Sequence, residues 1–173
     1  MTPEEQQFRA ELVSLLPRLR RFGRAITRHR EDADDLVQLA VERALLRREQ
    51  WESGTRMLSW LFKIMNNAWI DEVRSRARRE QIFAPEESGA HARVSPMDDH
   101  LNALAVRSAI DRLNDEQRIA VGLVLVEGLA YKEAAEVLGV PIGTVTSRLA
   151  RAREHLQGLL SESAAAHRIQ AAQ

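Results

Sequence analysis

The clearest indication of the fold is residues 130–153, AYKEAAEVLGVPIGTVTSRLARAR. Its first half places apolar residues at helical spacing, with a small alanine where a second helix has to cross closely. Gly139 can adopt the positive φ that a tight turn needs, and Pro141 suits the first turn of the following helix. Val145 and Leu149, four residues apart, would bury one face of that second helix. The pattern predicts two short helices joined by a tight turn.

The outward face of the second helix carries residue types that can read DNA, namely Thr144, Thr146, Ser147, Arg148 and Arg151. Short hydroxyls can contact phosphates or base edges, and arginine can bind guanine through two hydrogen bonds. Such a helix in the major groove is the reading helix of a helix-turn-helix domain. The alternative is a helical hairpin with a solvated basic face. The turn and the outward side chains together favour DNA binding, but they leave repressors, response-regulator effectors and sigma factors open.

The rest of the chain has helical periodicity and no convincing alternation at period two. We expect a kink or a break at Pro17 in the first helix, and Asp32 as the cap of the second. Helices are expected over about residues 4–28, 32–48, 57–81, 100–113, 116–127 and 129–138, and from the Pro141 break to about 160.

Residues 82–98 contain two prolines and a glycine and no helical stripe, which indicates a flexible linker. The chain is therefore predicted to be all-α, with two small helical domains held at no fixed spacing. The domains are an N-terminal helical bundle over residues 1–81 and a C-terminal helix-turn-helix domain over 99–161, followed by a flexible tail over 162–173.

The charges balance but are segregated along the chain. Lys+Arg and Asp+Glu each number 25, and the zero net charge argues against a non-specific basic coat for nucleic acid. Six arginines between residues 18 and 30 are followed at once by four acids between 31 and 35. This switch predicts contacts with both an acidic and a basic partner.

Several function classes leave no trace in the sequence. The five histidines have no metal-ligand spacing, and there is no phosphate-binding glycine loop or nucleophile elbow, so we expect no metal, no cofactor and no enzyme activity. The chain has no cysteine, no apolar run near the ~18 residues that cross a bilayer, and no signal-peptide pattern at its N-terminus. We expect a cytoplasmic protein that does not interact with membranes.

Segments of the N-terminal half resemble a known family, the extracytoplasmic function (ECF) sigma factors of the sigma-70 family. They are Asp34-Asp-Leu-Val-Gln38, Ser59-Trp-Leu-Phe-Lys-Ile64 with Asn67, and Ile70-Asp-Glu-Val-Arg74. Residues 139–153 and 113–118 are similar to the second DNA-binding domain of the same family. The resemblance extends from about residue 8 to 160 in the family's order, and it loosely suggests the alphaproteobacterial general stress group. It implies a factor that binds core RNA polymerase, recognises the −35 and −10 elements of promoter DNA and aids promoter melting.

The resemblance also implies roles for particular residues. A polymerase-binding helix, docking on the clamp helices of the largest polymerase subunit, would use Asp34, Asp35, Leu36 and Gln38. The −10 element would be bound by Trp60, Lys63, Asn66, Asn67, Arg74 and Arg78. Asn67 is the best candidate for reading a flipped base, while Trp60 could instead be core and Arg76 and Arg79 mere solvated charge. An anti-sigma factor is the further partner that the family implies.

Two departures from the family pattern and two rival functions remain at this point. Leu39 stands where the family commonly has an acidic residue. Met65-Asn66 stands where the family frequently has a small residue followed by an arginine, and this second departure would alter the preference for −10 sequences. A stand-alone helix-turn-helix repressor is the first rival, but it needs neither a clamp-docking helix nor a melting segment. A sigma-like decoy that only binds an anti-sigma factor is the second, but it has no reason to keep Arg148 and Arg151.

Overall fold

A computed structural model of the chain describes residues 2–52, 54–82 and 106–170. The described residues are almost entirely helical and contain no strand, which confirms the all-α prediction. The elements are α1 (Pro3–Ile26), α2 (Arg30–Leu46), a 3₁₀ turn (Arg48–Gln50), α3 (Met57–Ile82), α4 (helical at 106–111), α5 (Asp115–Val121), a π-helical turn (Gly122–Val126), α6 (Tyr131–Leu138) and α7 (Ile142–Gln170).

Helix α1 is one continuous helix, not two. Thr2 caps its start by accepting a hydrogen bond from the Glu5 amide at 3.2 Å, and Pro3 occupies the first turn. Pro17 lies inside the helix without ending it. The helix closes at Thr27, whose hydroxyl donates to the Gly23 carbonyl at 2.9 Å. Of the kink or break expected at Pro17, the break is therefore wrong, because packing along the whole helix outweighs one lost backbone hydrogen bond.

Helices α1, α2 and α3 form the N-terminal bundle. The Phe22 and Phe62 rings meet at its centre, with centroids 4.7 Å apart. Helix α2 begins at Arg30, before the cap predicted at Asp32, and Asp32 is instead engaged in an ion pair with α3. Helix α3 has almost the predicted bounds.

The C-terminal half begins, in the described residues, with the end of α4. Asn114 caps α5 by accepting from the Gln117 amide at 2.9 Å, and α5 passes directly into the π-helical turn. The backbone of α7 is helical to Gln170, so most of the tail expected to be flexible over 162–173 is helix. The predicted linker lies outside the described residues, apart from its first residue.

The two halves pack directly against each other, although the flexible linker led us to expect domains at no fixed spacing. Helix α1 contacts α5 and the π-helical turn, and α3 contacts α6. Buried apolar side chains from both halves form one continuous cluster. The contact between the two halves is therefore part of the hydrophobic core.

Candidate nucleic-acid interface

The helix-turn-helix has the predicted geometry. Gly139 adopts φ 65°, a left-handed conformation that lets the chain leave α6 in a tight turn. The Val140 amide donates to the Ala135 carbonyl at 3.1 Å, and the Pro141 carbonyl accepts from the Thr144 amide at 2.9 Å to start α7. Val145 and Leu149 are buried as predicted. The turn fixes the direction in which α7 presents its outer face.

The outer face of α7 carries the predicted reading residues. Thr146, Ser147 and Arg151 are exposed, and Thr144 is half-buried. The Thr146 hydroxyl donates to the Ile142 carbonyl at 3.1 Å, and the Ser147 hydroxyl donates to the Thr144 carbonyl at 3.0 Å. Both hydroxyls can still accept a hydrogen bond from a partner.

Arg148 is less free than its neighbours. Its side chain is only 18% exposed, and its Nη2 lies 3.0 Å from the carboxylate of Glu116 at the start of α5. No pattern in the sequence predicted this ion pair. Arg148 therefore already has a charged partner in this arrangement, and any other acceptor would have to replace the Glu116 carboxylate.

The predicted −10 residues on α3 share one stripe of the helix, with one exception. Lys63, Asn67, Arg74 and Arg78 are exposed, and their spacing of 4, 11 and 15 residues keeps them within one narrow arc. Trp60 continues the stripe, half-buried, with its ring 6.3 Å from that of Phe8. The stripe thus combines one aromatic surface, one amide and three cations.

Asn66 is the exception. It is 1% exposed, and its Oδ1 has no hydrogen-bond partner within the described part of the chain. Met65 is fully buried beside it. Both side chains point into the bundle, so the expected surface role of Asn66 is wrong in this arrangement, and the Met65-Asn66 departure changes the core instead of the exposed stripe.

Helix α2 presents an acidic face to solvent. Asp34, Asp35 and Gln38 are exposed, and the Asp34 carboxylate lies 3.9 Å from the Arg30 guanidinium. Leu36 is 5% exposed and belongs to the core, so its contribution is to seat α2 on the bundle and not to contact a partner directly. Leu39 lies on the open side, 36% exposed.

Arg76 is a structural anchor and not the solvated charge that the sequence suggested as an alternative. Its two terminal nitrogens donate to the Asp32 carboxylate at 3.0 and 2.7 Å, and its Nε donates to Glu72 at 2.7 Å. The guanidinium also lies 5.7 Å from the Trp69 ring centroid. These hydrogen bonds lower the pKa of both Asp32 and Glu72 below their ordinary values and raise the pKa of Arg76. The start of α2 is thereby fixed to the C-terminal part of α3.

A carboxylate between the two halves was also missed. The Glu127 side chain is fully buried, and it accepts from Arg18 Nε at 2.8 Å and from Arg21 Nε at 2.7 Å. Arg18 Nη2 also donates to the Glu127 carbonyl at 2.7 Å. The hydrogen bond to Glu127 raises the pKa of Arg21. Part of the arginine run that we interpreted as a surface for an acidic partner therefore has its acid within the chain.

Arg118 is a second buried charge at the same boundary. It is 1% exposed, its Nε donates to the Ile26 carbonyl at 2.8 Å, and it is ion-paired with Asp115. Burial lowers its pKa from the ordinary arginine value. Since Ile26 ends α1, a cation from the C-terminal half satisfies a carbonyl at the negative end of an N-terminal helix.

Metal sites and membrane-spanning helices are both absent from residues 2–52, 54–82 and 106–170. Among those residues, no three or more His, Cys, Asp or Glu side chains are grouped so that they could hold a metal ion. None of the helices described there is both long and apolar enough to span a membrane.

Comparison with known proteins identifies the family. The profile described as "Sigma-70, region 4" matches residues 103–156, and the profile described as "Sigma2 domain of PhyR" matches residues 12–66. The chain is 32% identical over 162 residues to the ECF RNA polymerase sigma factor EcfG of Rhodopseudomonas palustris, an alignment that covers 91% of this chain and 87% of EcfG. The chain belongs to the ECF sigma factors. It is also 39% identical to SigM of Mycobacterium tuberculosis, over 82% of this chain and 71% of SigM.

Two solved structures share the fold. The sigma factor RpoE of Bartonella quintana, crystallised with the anti-sigma factor NepR, matches with a TM-score of 0.75 and 32% identity over 90% of this chain and 98% of RpoE. CnrH, solved with the cytosolic domain of CnrY, matches with a TM-score of 0.67 and 25% identity over 91% of this chain and 90% of CnrH. The matches to EcfG and to RpoE support a sigma factor of the general stress type. This family consists of transcription regulators and is not a known enzyme family.

Proposed function

We propose that this sigma factor docks on core RNA polymerase through the exposed face of α2, and reads the −35 element with α7 and the −10 element with α3. The observation that carries the proposal is the exposed reading face of α7, set by the Gly139 turn, inside the segment matched as sigma-70 region 4. The proposed domains are residues 1–81 and 99–161. The protein would act in the cytoplasm as a binding factor, not as a catalyst.

The −35 contact is assigned to α7. Arg148 and Arg151 lie nearly one turn apart on α7, and the exposed Thr146 and Ser147 directly precede Arg148. An arginine with two parallel N–H donors matches the two major-groove acceptors of guanine. The hydroxyls near the start of the helix are placed for phosphates or base edges. Arg148 would leave the charged Glu116 carboxylate for the neutral acceptors of the base.

The −10 contact is assigned to the stripe on α3. A base pulled out of the stack needs a hydrogen-bonding partner for its edge, an apolar surface for the exposed fork and cations for the freed phosphates. Asn67 supplies an amide that both donates and accepts, Trp60 supplies the ring, and Lys63, Arg74 and Arg78 supply the cations. With Asn66 buried, Asn67 is the one amide of the neighbouring pair that a base can reach.

Polymerase docking is assigned to α2. Asp34 and Asp35 project from a helix whose opposite side is seated in the core by Leu36. The bidentate Asp32–Arg76 pair fixes this helix to α3. Charge complementarity with a basic partner helix would set the register of docking and speed the encounter. The rigid link means that docking α2 also orients the −10 stripe.

A regulatory partner is proposed from the structural neighbours. RpoE was solved with the anti-sigma factor NepR, and CnrH with the cytosolic domain of CnrY. The chain matches RpoE over 90% of its length. We infer that it too is bound by an anti-sigma factor of the NepR kind.

Run-off transcription with purified core polymerase on a promoter library tests the sigma function. The free chain is expected to bind promoter DNA weakly, near the ~10⁻⁴–10⁻⁶ M of non-specific contacts. With core polymerase it should give specific binding, a permanganate-reactive bubble and transcripts from a defined start. Tight operator binding by the free chain with no transcript would point to the repressor. Binding of an anti-sigma factor without any transcript would point to the decoy.

A further inference from the structure

The two arginines on the reading face of α7 have different surroundings. Arg151 is exposed, and no ion pair joins it to another of the residues that the structure describes. The Arg148 side chain is 18% exposed, and its Nη2 lies 3.0 Å from a carboxylate oxygen of Glu116. Arg151 can therefore meet any acceptor directly, whereas Arg148 has to leave a charged partner first.

Glu116 lies in the first turn of α5, a helix that packs against α7. An acidic side chain in a first turn stabilises its own helix, because the free amide groups leave a partial positive charge there. Asn114 already caps this turn, and Asp115 supplies a second acid beside Glu116. Stabilising the start of α5 does not require the Glu116 carboxylate to reach across to α7, so the contact with Arg148 calls for a separate explanation.

The ion pair between Glu116 and Arg148 contributes little to the stability of the fold. The Glu116 side chain is 68% exposed, so water screens the attraction between the two charges. Its larger effect is on the availability of Arg148, because one of the guanidinium nitrogens is already bound to a strong acceptor. A pair that is weak in net free energy can be exchanged, provided that the new partner offers Arg148 acceptors in place of the carboxylate.

Of the four bases, guanine is the best replacement for the carboxylate. Its N7 and O6 are two acceptors on one edge of the major groove, and an arginine can bind both at once. Adenine presents one acceptor beside an N–H donor, thymine one acceptor beside a methyl group, and cytosine a donor. None of these three bases gives Arg148 two hydrogen bonds. Beside a base other than guanine, Arg148 should therefore stay with Glu116.

An unpaired arginine at this position would also bind DNA that has the wrong sequence. Phosphate oxygens are present in every sequence, and an arginine beside the backbone pairs with them whatever the bases are. Such a contact raises the affinity for wrong sequences and so lowers the preference for the right one. The Glu116 carboxylate opposes it in two ways, because it occupies the guanidinium and because its own charge repels phosphates.

We propose that Glu116 is a specificity-determining residue of the −35 contact, which keeps Arg148 from phosphates and releases it only to a guanine. The inference rests on the proposed function, since it takes α7 as the helix that reads the −35 element. Glu116 acts through Arg148 and is a positioning residue, without a contact of its own to a base. Arg151, which has no such partner, contributes affinity, while the pair of Arg148 with Glu116 contributes discrimination between sequences.

The test compares Glu116→Gln with Glu154→Gln, each in the full chain bound to core polymerase. Both substitutions remove one negative charge and keep the size of the side chain, but Glu154 is exposed on α7 and is not the residue paired with Arg148. The DNA has a fixed −10 element and a varied −35 element. Competition binding at about 50 and 200 mM salt measures the affinity for each sequence, and circular dichroism checks that the helix content is unchanged.

Glu116→Gln should bind the preferred −35 sequence with nearly wild-type affinity and the other sequences several-fold more tightly. Because one phosphate contact is added on the other sequences alone, their affinity should fall about 3.5-fold more than that of the wild type between about 50 and 200 mM salt. Glu154→Gln should affect all sequences alike and leave the preference intact. In an Arg148→Ala background, Glu116→Gln should do no more than Glu154→Gln, because the guanidinium on which Glu116 acts is gone.

Equal effects of Glu116→Gln and Glu154→Gln on every sequence would overturn the proposal, because Glu116 would then be only a surface charge or a stabiliser of α5. Weaker binding of the preferred sequence by Glu116→Gln would overturn it as well, and would identify Glu116 as a direct contact to a base such as cytosine. A wild-type complex without any −35 preference would contradict the proposed function itself. A preference that is present in the wild type and survives in Glu116→Gln contradicts this inference alone.

Discussion

Two adjacent asparagines in α3 have opposite environments. Asn67 is exposed on the stripe assigned to the −10 element, and Asn66 is buried. Asn67→Ala should change which −10 base is preferred without lowering affinity for core polymerase, since the loss falls on one flipped base. Transcription from a −10 library measures the preference. Asn66→Ala is the control and should leave the preference unchanged; an unchanged preference in Asn67→Ala would make Asn67 structural.

Arg148 has to leave Glu116 in order to bind a base. Arg148→Ala should weaken −35 binding by the holoenzyme by about 1–3 kcal/mol, the contribution of one bidentate contact to a base. Fluorescence anisotropy on cognate and single-substituted −35 sequences measures the loss. Arg9→Ala, an exposed arginine on α1, is the control. Equal weakening on all sequences with a flatter salt dependence would instead identify Arg148 as a phosphate contact.

At the scale of single residues, the sequence predicted which side chains could bind DNA better than it predicted their burial and their partners. The reading face of α7 could be predicted because Gly139 and the Val145–Leu149 spacing fix its orientation. Asn66 was misplaced because apolar residues flank it around most of α3, so periodicity did not show which way it points. Glu116, Glu127 and Arg118 were missed because their partners lie on other elements. The lone acid that ends the apolar run before Gly128 was the one signal for Glu127.

At the scale of elements, the link between α2 and α3 depends on pH. The folded-state pKa values of Asp32 and Glu72 are lowered from ordinary values of 3.8 and 4.5, mainly by hydrogen bonds from Arg76. A lowered folded-state pKa adds stability that is complete above the ordinary pKa and disappears as pH falls through the folded-state value. This contribution should therefore be full at neutral pH and should fade below about pH 4.

Arg76→Ala should lower the free energy of unfolding by about 1 kcal/mol at pH 7, a modest value because solvent screens this partly exposed pair. The difference from wild type should shrink in acid, leaving only the lost contact with Trp69. Urea unfolding at several pH values measures it. Arg78→Ala, exposed on the same helix, is the control and should show little difference at any pH. A difference that stays constant into acid would contradict the assigned ion pair.

The acidic face of α2 makes its own prediction. Asp35→Arg reverses a charge on the proposed docking face, where like charges are costly, and should weaken binding to core polymerase several-fold. Glu49→Arg, an equal change of charge in the exposed 3₁₀ turn, should not. Titration of fluorescent chain with core polymerase distinguishes the two. Equal affinities for both variants would remove α2 from the docking surface.

The elements themselves were mostly predictable, and the exceptions have physical reasons. The bounds of α3 and the break at Gly139 follow from local patterns. The helical tail to Gln170 was not predicted, because its alanines have intrinsic helix propensity but no apolar stripe. The π-helical turn holds about one more residue per turn than an α-helix. Because it is only five residues long, the spacing of its apolar residues cannot distinguish it from an α-helix.

At the scale of the whole molecule, local sequence patterns do not predict how the two halves pack against each other. Arg18 and Glu127 are 109 residues apart in the chain, and nothing in the sequence around either residue identifies the other as its partner. A proline-containing linker suggested domains at no fixed spacing, whereas an apolar contact and buried ion pairs bring them together. Tertiary packing decided the arrangement, as it did for Pro17.

The shared core has a consequence for how the protein melts. Side chains of both halves belong to one apolar cluster, so neither half can lose its structure without exposing apolar surface of the other. Differential scanning calorimetry of the wild-type chain should show a single endotherm, with the calorimetric enthalpy equal to the van't Hoff enthalpy. A Cβ at Gly122, in the C-terminal half, would lie 3.1 Å from a ring carbon of Phe22 on α1, so Gly122→Ala should force the halves apart. In this variant the two halves should melt separately, and the endotherm should split or broaden until the van't Hoff enthalpy falls below the calorimetric one. Two resolved endotherms in the wild type would show that its halves are thermodynamically independent.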